Sequence, residues 1–253
     1  MGGRMKQIIH GVLTNYEVSG EGDVVLLLHG WGMDLHSMLW IGEDLKCKVY
    51  AIDLPGFGES EIRQSWDVFD YVDWLRAFCE ELELEDIMIV AHSFGCRIAL
   101  WYSYVYGCKK MVLTGAAGIP SLKNKFQKWR EMEYHISKYI YKKLGLVKRL
   151  EQLQKSSGSE DYKKASGVMK ETLVKVIHND VTGILSSIYT PTILVVGEKD
   201  DVTPVWMSRE MESRMQDGAM IVFEGCHHFA YLQDRYRFMK IVKVFLEKEE
   251  EHA

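Results

Sequence analysis

Five short apolar runs, at residues 24–28, 49–52, 87–90, 111–113 and 193–196, are rich in Val and Ile and almost free of polar interruption. A strand exposed on one face alternates polar and apolar residues, whereas an unbroken apolar run suits a strand covered on both faces. Between several of these runs lie stretches of helical period. Residues 67–82 place Val68, Tyr71, Val72, Leu75, Phe78, Cys79 and Leu82 on one stripe, and residues 94–106 form a second helix candidate. Strands alternating with helices predict a mostly parallel, doubly wound α/β sheet with crossover helices. Residues 5–19 alternate like a two-stranded antiparallel edge, 219–223 form another short apolar run, and 235–250 read as an amphipathic helix entering an acidic tail.

One segment breaks the rhythm. From 120 to 182 no strand pattern stands out, but helix formers and aromatics are interrupted at Gly145 and at residues 156–159, as in short helices joined by turns. With 253 residues, 47% of them hydrophobic and 26% charged, the chain can bury a large core, which excludes a disordered protein. The expected organisation is one core, residues 1–119 and 183–253, with a helical lid of residues 120–182 inserted between two strands. The lid carries 14 Lys and Arg against 7 Asp and Glu, net +7, so that a total of −5 leaves −12 on the rest. The bland reading of these lysines is solvated helix faces; the sharper one is a docking surface for an acidic partner or an anionic substrate. The mild negative total argues against nucleic-acid binding by the whole surface.

Five widely spaced cysteines without a C-x-x-C pair indicate neither a disulfide framework nor a zinc knuckle, and a reducing cytosol is the expected setting. The first ten residues hold no apolar core of signal-peptide length, and no apolar run approaches a membrane span. Met5 offers a second start, and residues 1–4 are given no role.

The chemistry is carried by four stretches. In Ile87-Met-Ile-Val-Ala91-His92-Ser93-Phe94-Gly95-Cys96 a buried strand meets a helix through small residues flanking one serine. A sharp turn there would hold Ser93 in strained geometry with its hydroxyl exposed, a nucleophile elbow, although an ordinary helix cap is the plain alternative. Leu28-His29-Gly30-Trp31-Gly32 follows the first buried strand. Its backbone, together with the residue after the serine, suggests Trp31 and Phe94 N–H groups as oxyanion donors; the alternative is a plain glycine turn. Gly197-Glu198-Lys199-Asp200-Asp201 ends a strand and puts a carboxylate at the C-terminal sheet edge. Asp200 is preferred to orient a histidine, with Asp201 as runner-up because spacing alone does not separate them. Gly225-Cys226-His227-His228 supplies a late histidine, with His228 preferred over His227. The order Ser93, Asp200, His228 is that of a serine, acid and histidine set in a sheet of this kind.

On these residues, together with Asp53-Leu-Pro-Gly-Phe-Gly-Glu-Ser60 and His228-Phe-Ala-Tyr-Leu-Gln233, the chain resembles the α/β-hydrolase superfamily over nearly its whole length. The resemblance implies that fold with a helical lid, and it makes the Asp53 stretch a structural loop rather than the source of the acid. Ala91 for glycine, Cys96 where glycine is frequent, and His227 before the histidine depart from the family's pattern. Ser93 argues against the dehalogenase and epoxide-hydrolase branches, which use an aspartate nucleophile. The His-Gly-Trp-Gly and Asp-Leu-Pro-Gly-Phe-Gly runs are similar to those of pimeloyl-acyl-carrier-protein methyl ester esterases, which implies an acidic acyl carrier protein as a partner for the basic lid.

The expected activity is hydrolysis of a small-molecule acyl ester by Ser93, His228 and Asp200, with Trp31 and Phe94 at the oxyanion, without metal or organic cofactor. The alternatives are a C–C bond hydrolase of ring-cleavage products, a cofactor-free haloperoxidase or perhydrolase, a prolyl-iminopeptidase-like enzyme, which a basic lid disfavours, and a slow-turnover ligand receptor. Phe126, Trp129, Met132, Tyr134, Tyr139 and Met169 are expected either to line an apolar pocket or to pack the lid onto the core.

Overall fold

A computed structural model describes residues 3–120 and 160–247, with 137, 141–143 and 148–149 between them. Strands β1 (Gly3–Ile9) and β2 (Val12–Ser19) form an antiparallel hairpin. Its two turn residues, His10 and Gly11, both have positive φ, the geometry that matches the twist of a tight hairpin. The other strands are β3 (Val24–Leu28), β4 (Lys48–Ile52), β5 (Met88–His92), β6 (Lys110–Thr114), β7 (Thr192–Gly197) and β8 (Gly218–Phe223). The sheet order is β1-β2-β4-β3-β5-β6-β7-β8, antiparallel through the β2–β4 pair and parallel from β4 onward.

The apolar runs are continuous because alternate residues serve two cores. Leu26, Leu28, Ile89, Ala91 and Leu113 face one side, where they meet Trp74, Leu75 and Phe78 of α2 (Val68–Glu81) and Ile98 and Leu100 of α3 (Phe94–Tyr106). Val25, Leu27, Val90, Val112 and Val195 face the other, against Met38 of α1 (His36–Leu39) and Phe238, Val242 and Leu246 of the C-terminal helix. Helix α2 starts where Asp67 caps the Phe69 and Asp70 amides while the Asp70 carboxylate returns to the Asp67 amide.

Between β6 and β7 the described residues form α4 (Glu160–Lys164) and α5 (Gly167–Ile177), with no strand among them. The interruptions at Gly145 and 156–159, and Phe126, Trp129, Met132, Tyr134 and Tyr139, lie outside the described residues. Helix α5 and the turn after it, through Val181, are bound to the body. The Trp66 amide donates to Thr172 Oγ1 (3.1 Å), Arg97 of α3 donates to the Val176 carbonyl, Trp101 Nε1 donates to Asn179 Oδ1 (2.7 Å), and the Val181 amide donates to the Gly118 carbonyl (3.1 Å). Met169 packs over Gly56, where an added Cβ would come within 2.3 Å of its sulfur. The chain closes with α6 (Val205–Arg214), α7 (Ala230–Gln233) and α8 (Arg235–Leu246). Among the described residues no helix is long and apolar enough to cross a membrane, and all five cysteines are free.

The loop after β4 is organised by a buried carboxylate. Asp53 accepts from Asn15 Nδ2 (2.7 Å), the Leu35 amide (2.8 Å) and the Glu59 amide (2.8 Å), while its carbonyl accepts from Ser60 Oγ (2.7 Å). Gly58 has φ +53°, and any Cβ there would overlap the Asp53 carboxylate. The loop therefore ties β2, the turn before α1 and itself to one anion, the structural role implied for it. Removing the carboxylate leaves two buried donors and one half-buried donor unpaired, the buried ones at a cost of about 1–3 kcal/mol each. Asp53→Ala is expected to lower stability by about 3 kcal/mol or more in urea unfolding; a loss below about 1 kcal/mol would contradict this account of the loop.

Candidate active site

The candidate residues converge at the C-terminal edge of the parallel strands. Ser93 directly follows β5, His29 to Gly32 follow β3, Asp200 lies in the loop after β7, and His228 in the loop after β8. Ser93 has φ +48° and ψ −105°, which β-carbon sterics disfavour and which only a constrained turn maintains. Its amide donates to the Thr114 carbonyl (3.0 Å) and its carbonyl accepts from the Cys96 amide (3.1 Å). Gly95 is required by close approach, because a Cβ there would lie 2.3 Å from the Leu28 carbonyl oxygen. Both departures in this stretch fit the turn. Ala91 is fully buried, and the Cys96 thiol donates back to the Ala91 carbonyl (3.2 Å).

His228 Nε2 lies 3.0 Å from Ser93 Oγ and His228 Nδ1 lies 2.9 Å from Asp200 Oδ2. Asp200 and Asp201 are thereby separated. The Asp200 side chain is fully shielded, whereas Asp201 is exposed in the same loop. His227 is exposed too and gives only its amide, to Gln233 Oε1 (2.6 Å). Asp200 Oδ1 accepts from the Val202 and Thr203 amides (2.9 and 2.8 Å), the local turn an aspartate makes with the backbone ahead of it. Thr203 Oγ1 donates to Asp200 Oδ2 (2.8 Å) and stands 3.2 Å from His228 Nδ1. Burial alone would raise the Asp200 pKa, but the His228 hydrogen bond and charge and the two Thr203 bonds outweigh it and hold the carboxyl below its ordinary value. The acid is thus an anion aimed at the imidazole.

Trp31 and Phe94 are brought to the same place. Gly30 and Met33 close a turn through the Met33 amide (3.2 Å), with Gly32 at φ +72°. Trp31 is a central residue of that turn, whose amide the turn itself does not use. Phe94 opens α3, where the first amides have no partner within the helix. A Cβ at Gly30 would lie 3.4 Å from the Ser93 β-carbon, so the turn runs beside the serine. The Trp31 and Phe94 rings also meet, centroids 5.5 Å apart. His29 explains the residue before the glycine. Its ring is buried, burial holds it neutral, Nδ1 donates to the Gly30 carbonyl (2.8 Å) and Nε2 accepts from the Leu54 amide (3.0 Å). That bridge fixes the turn to the Asp53 loop.

Sequence reasoning missed Thr203 and His92. Thr203 carried one usable signal, its position three residues after a loop aspartate. His92 carried none, since a polar residue at the end of a buried apolar strand shows in sequence only that the run has ended. Gly115, with φ +55°, was also passed over; a Cβ there would press within 3.1 Å of the His228 ring. Among the described residues no group of three or more His, Cys, Asp or Glu side chains is placed to hold a metal ion.

The family described as alpha/beta hydrolase fold matches residues 23–144. A 2-hydroxy-6-oxo-2,4-heptadienoate hydrolase of Pseudomonas putida is 24% identical and covers 95% of each chain. A pimeloyl-[acyl-carrier protein] methyl ester esterase of Neisseria meningitidis is 23% identical over 88% of this chain and 76% of its own. Among solved structures, an esterase from Exiguobacterium antarcticum superposes with a TM-score of 0.75 at 20% identity, covering 98% of this chain and all of the other. The chain has the α/β-hydrolase fold.

Because the folded pKa of Asp200 lies below its ordinary value near 3.8, its ionised form stabilises the fold above that value, and the contribution is lost as pH falls through the lowered folded pKa. The stability of the parent relative to Asp200→Asn, measured by chemical unfolding between pH 7 and pH 2, is expected to be greatest above about pH 4 and to shrink below it. A difference independent of pH over that range would contradict the ionised assignment.

Proposed function

We propose that the protein is a serine hydrolase that cleaves carboxylic esters through an acyl-enzyme. The observation that carries this reading is the Ser93–His228–Asp200 chain, at 3.0 and 2.9 Å, on a serine held at positive φ. His228 takes the Ser93 proton as the hydroxyl attacks the ester carbonyl, while Asp200 holds the Nδ1–H tautomer and stabilises the imidazolium. The Trp31 and Phe94 amides receive the developing oxyanion. Collapse expels the alcohol with the proton from His228. Water, deprotonated by the same histidine, then attacks the acyl-enzyme and releases the acid and Ser93. Every step uses groups of this chain.

The Neisseria meningitidis relative, a methyl ester esterase acting on an acyl-carrier-bound substrate, supports the ester reading. The Pseudomonas putida relative supports a second one, hydrolysis of a C–C bond in a vinylogous diketone, which the same three residues can serve. The net charge of +7 over residues 120–182 supports a lid that docks an acidic acyl carrier protein, and five free cysteines support a reducing cytosolic setting.

Purified protein is expected to hydrolyse p-nitrophenyl esters within the series from acetate to decanoate, with Ser93→Ala lower in turnover by roughly 10⁶-fold. If every ester fails while a fluorophosphonate labels Ser93 and a vinylogous diketone is cleaved, the second reading replaces the first. Docking is tested by titration with acyl carrier protein at low and raised salt. Binding is expected at low salt and should weaken as salt screens the charges; no binding at low salt removes the partner.

A further inference from the structure

His92, the last residue of β5 and the neighbour of the serine, is among the most enclosed polar side chains of the described residues, with 1% of its surface exposed. Its ring lies beneath the loop that carries His228. Centroid separations are 4.9 Å to His228, 5.1 Å to Phe229 and 4.8 Å to Tyr231. Its Nε2 is 3.3 Å from the main-chain carbonyl oxygen of His228. Its Nδ1 has no hydrogen-bond partner among the described residues and abuts Gly30, where a Cβ would come within 2.6 Å.

These contacts fix the state of the ring. A carbonyl only accepts, so Nε2 carries the proton and donates it, which leaves the lone pair of a neutral imidazole on Nδ1. Burial, reinforced by the proximity of His228, pushes the His92 pKa down to about 3. The ionisable groups facing it are His228, Asp200, His29 and Tyr231. The ring is therefore a fixed neutral donor in the pH range where His228 would cycle.

We propose that His92 is a positioning residue for the reaction, holding the His228 main chain in register with Ser93 through its Nε2–H. The proposal rests on the hydrolase reading above. The Asp200 contact at Nδ1 selects the tautomer of His228, but one hydrogen bond leaves the ring free to swing about that contact. A second tether on the same residue's carbonyl fixes where its α-carbon stands, and Gly115, where a Cβ would lie 3.1 Å from both the ring and that carbonyl, leaves them room. Because His92 adjoins Ser93 in sequence, the tether couples the elbow directly to the histidine loop. Misplacement of a reacting pair by about 1 Å can lower a rate about 10²-fold.

The test compares His92→Phe, which keeps ring volume without the donor, with His92→Gln, whose amide reaches about as far as Nε2. Readouts are kcat and KM on the best p-nitrophenyl ester, the rate of Ser93 phosphonylation by a fluorophosphonate, and Tm. His92→Phe is expected to lower kcat and phosphonylation together by about 10–100-fold with KM within about twofold, and His92→Gln to recover most of that loss. Phe and Gln variants of equal Tm and equal activity would reduce His92 to packing and overturn the proposal, as would a Phe variant within about twofold of the parent. If the Phe variant does not fold, His92→Asn, whose shorter amide falls short of the carbonyl, takes its place with the same expectations. A parent that labels at Ser93 while these variants react normally defeats this inference alone; a parent that fails to label defeats the hydrolase reading with it.

Discussion

The site depends on one strained residue. A serine at φ +48° and ψ −105° would relax in an isolated peptide, at a gain of order 1–3 kcal/mol. Here it is held from three directions. The Thr114 carbonyl of β6 binds its amide, the Cys96 and Ala117 amides bind its carbonyl (3.1 and 3.4 Å), and the end of β3 presses on Gly95 so closely that no side chain fits there. The turn is thus made by the meeting of three neighbouring strands rather than by its own sequence. An alanine at 91 and a cysteine at 96 are accommodated because both are buried in the core beneath the turn, Ala91 in register with Leu28 of β3.

Two buried aspartates at the same sheet edge show how surroundings assign roles to identical side chains. Asp53 is surrounded by amide donors with no titratable partner, and its charge is consumed in fastening a loop. Asp200 spends one oxygen on backbone amides and turns the other toward an imidazole and a threonine hydroxyl. The first arrangement meets the charge with donors that do not titrate. The second responds to it, since an anion beside His228 stabilises the cation that proton transfer would create.

The strands at the centre of the sheet were legible because burial on both faces writes itself as unbroken apolar runs, and the run at 24–28 coincides with β3 residue for residue. The helical stripe of 67–82 was legible for the corresponding reason, although Trp74 joins its buried face unforeseen. At the candidate site the structure brings Asp200 and His228 beside Ser93, the members preferred from sequence in each adjacent pair. Asp200 against Asp201, and His228 against His227, are adjacent residues in loops, where no periodicity says which side chain points inward; the path of the loop decides. Thr203 and His92 each reach His228, at least 25 positions away in sequence, and only Thr203 is marked locally, by its place three residues after Asp200. The expected lid residues from 121 to 159 fall almost entirely outside the described residues.

The point at which the chain leaves the sheet after β6 is set by the elbow. Ser93 is fastened to Thr114, the last residue of β6, so whatever leaves the sheet after β6 emerges beside the serine. The chain departs at Gly118 and returns at Val181, and those two residues are joined by a hydrogen bond of 3.1 Å, with Gly118 at φ +141° and a Cβ there meeting Val181 at 2.7 Å. Departure and return thus share one narrow neck, braced by Arg97 and Trp101 of the same helix that the serine begins. Among the described residues between 118 and 181, none supplies a contact that holds Ser93 in its strained turn. Loops and insertions on the surface vary more freely than the elements that carry them, and the +7 charge between residues 120 and 182 is the kind of local variation such a neck permits.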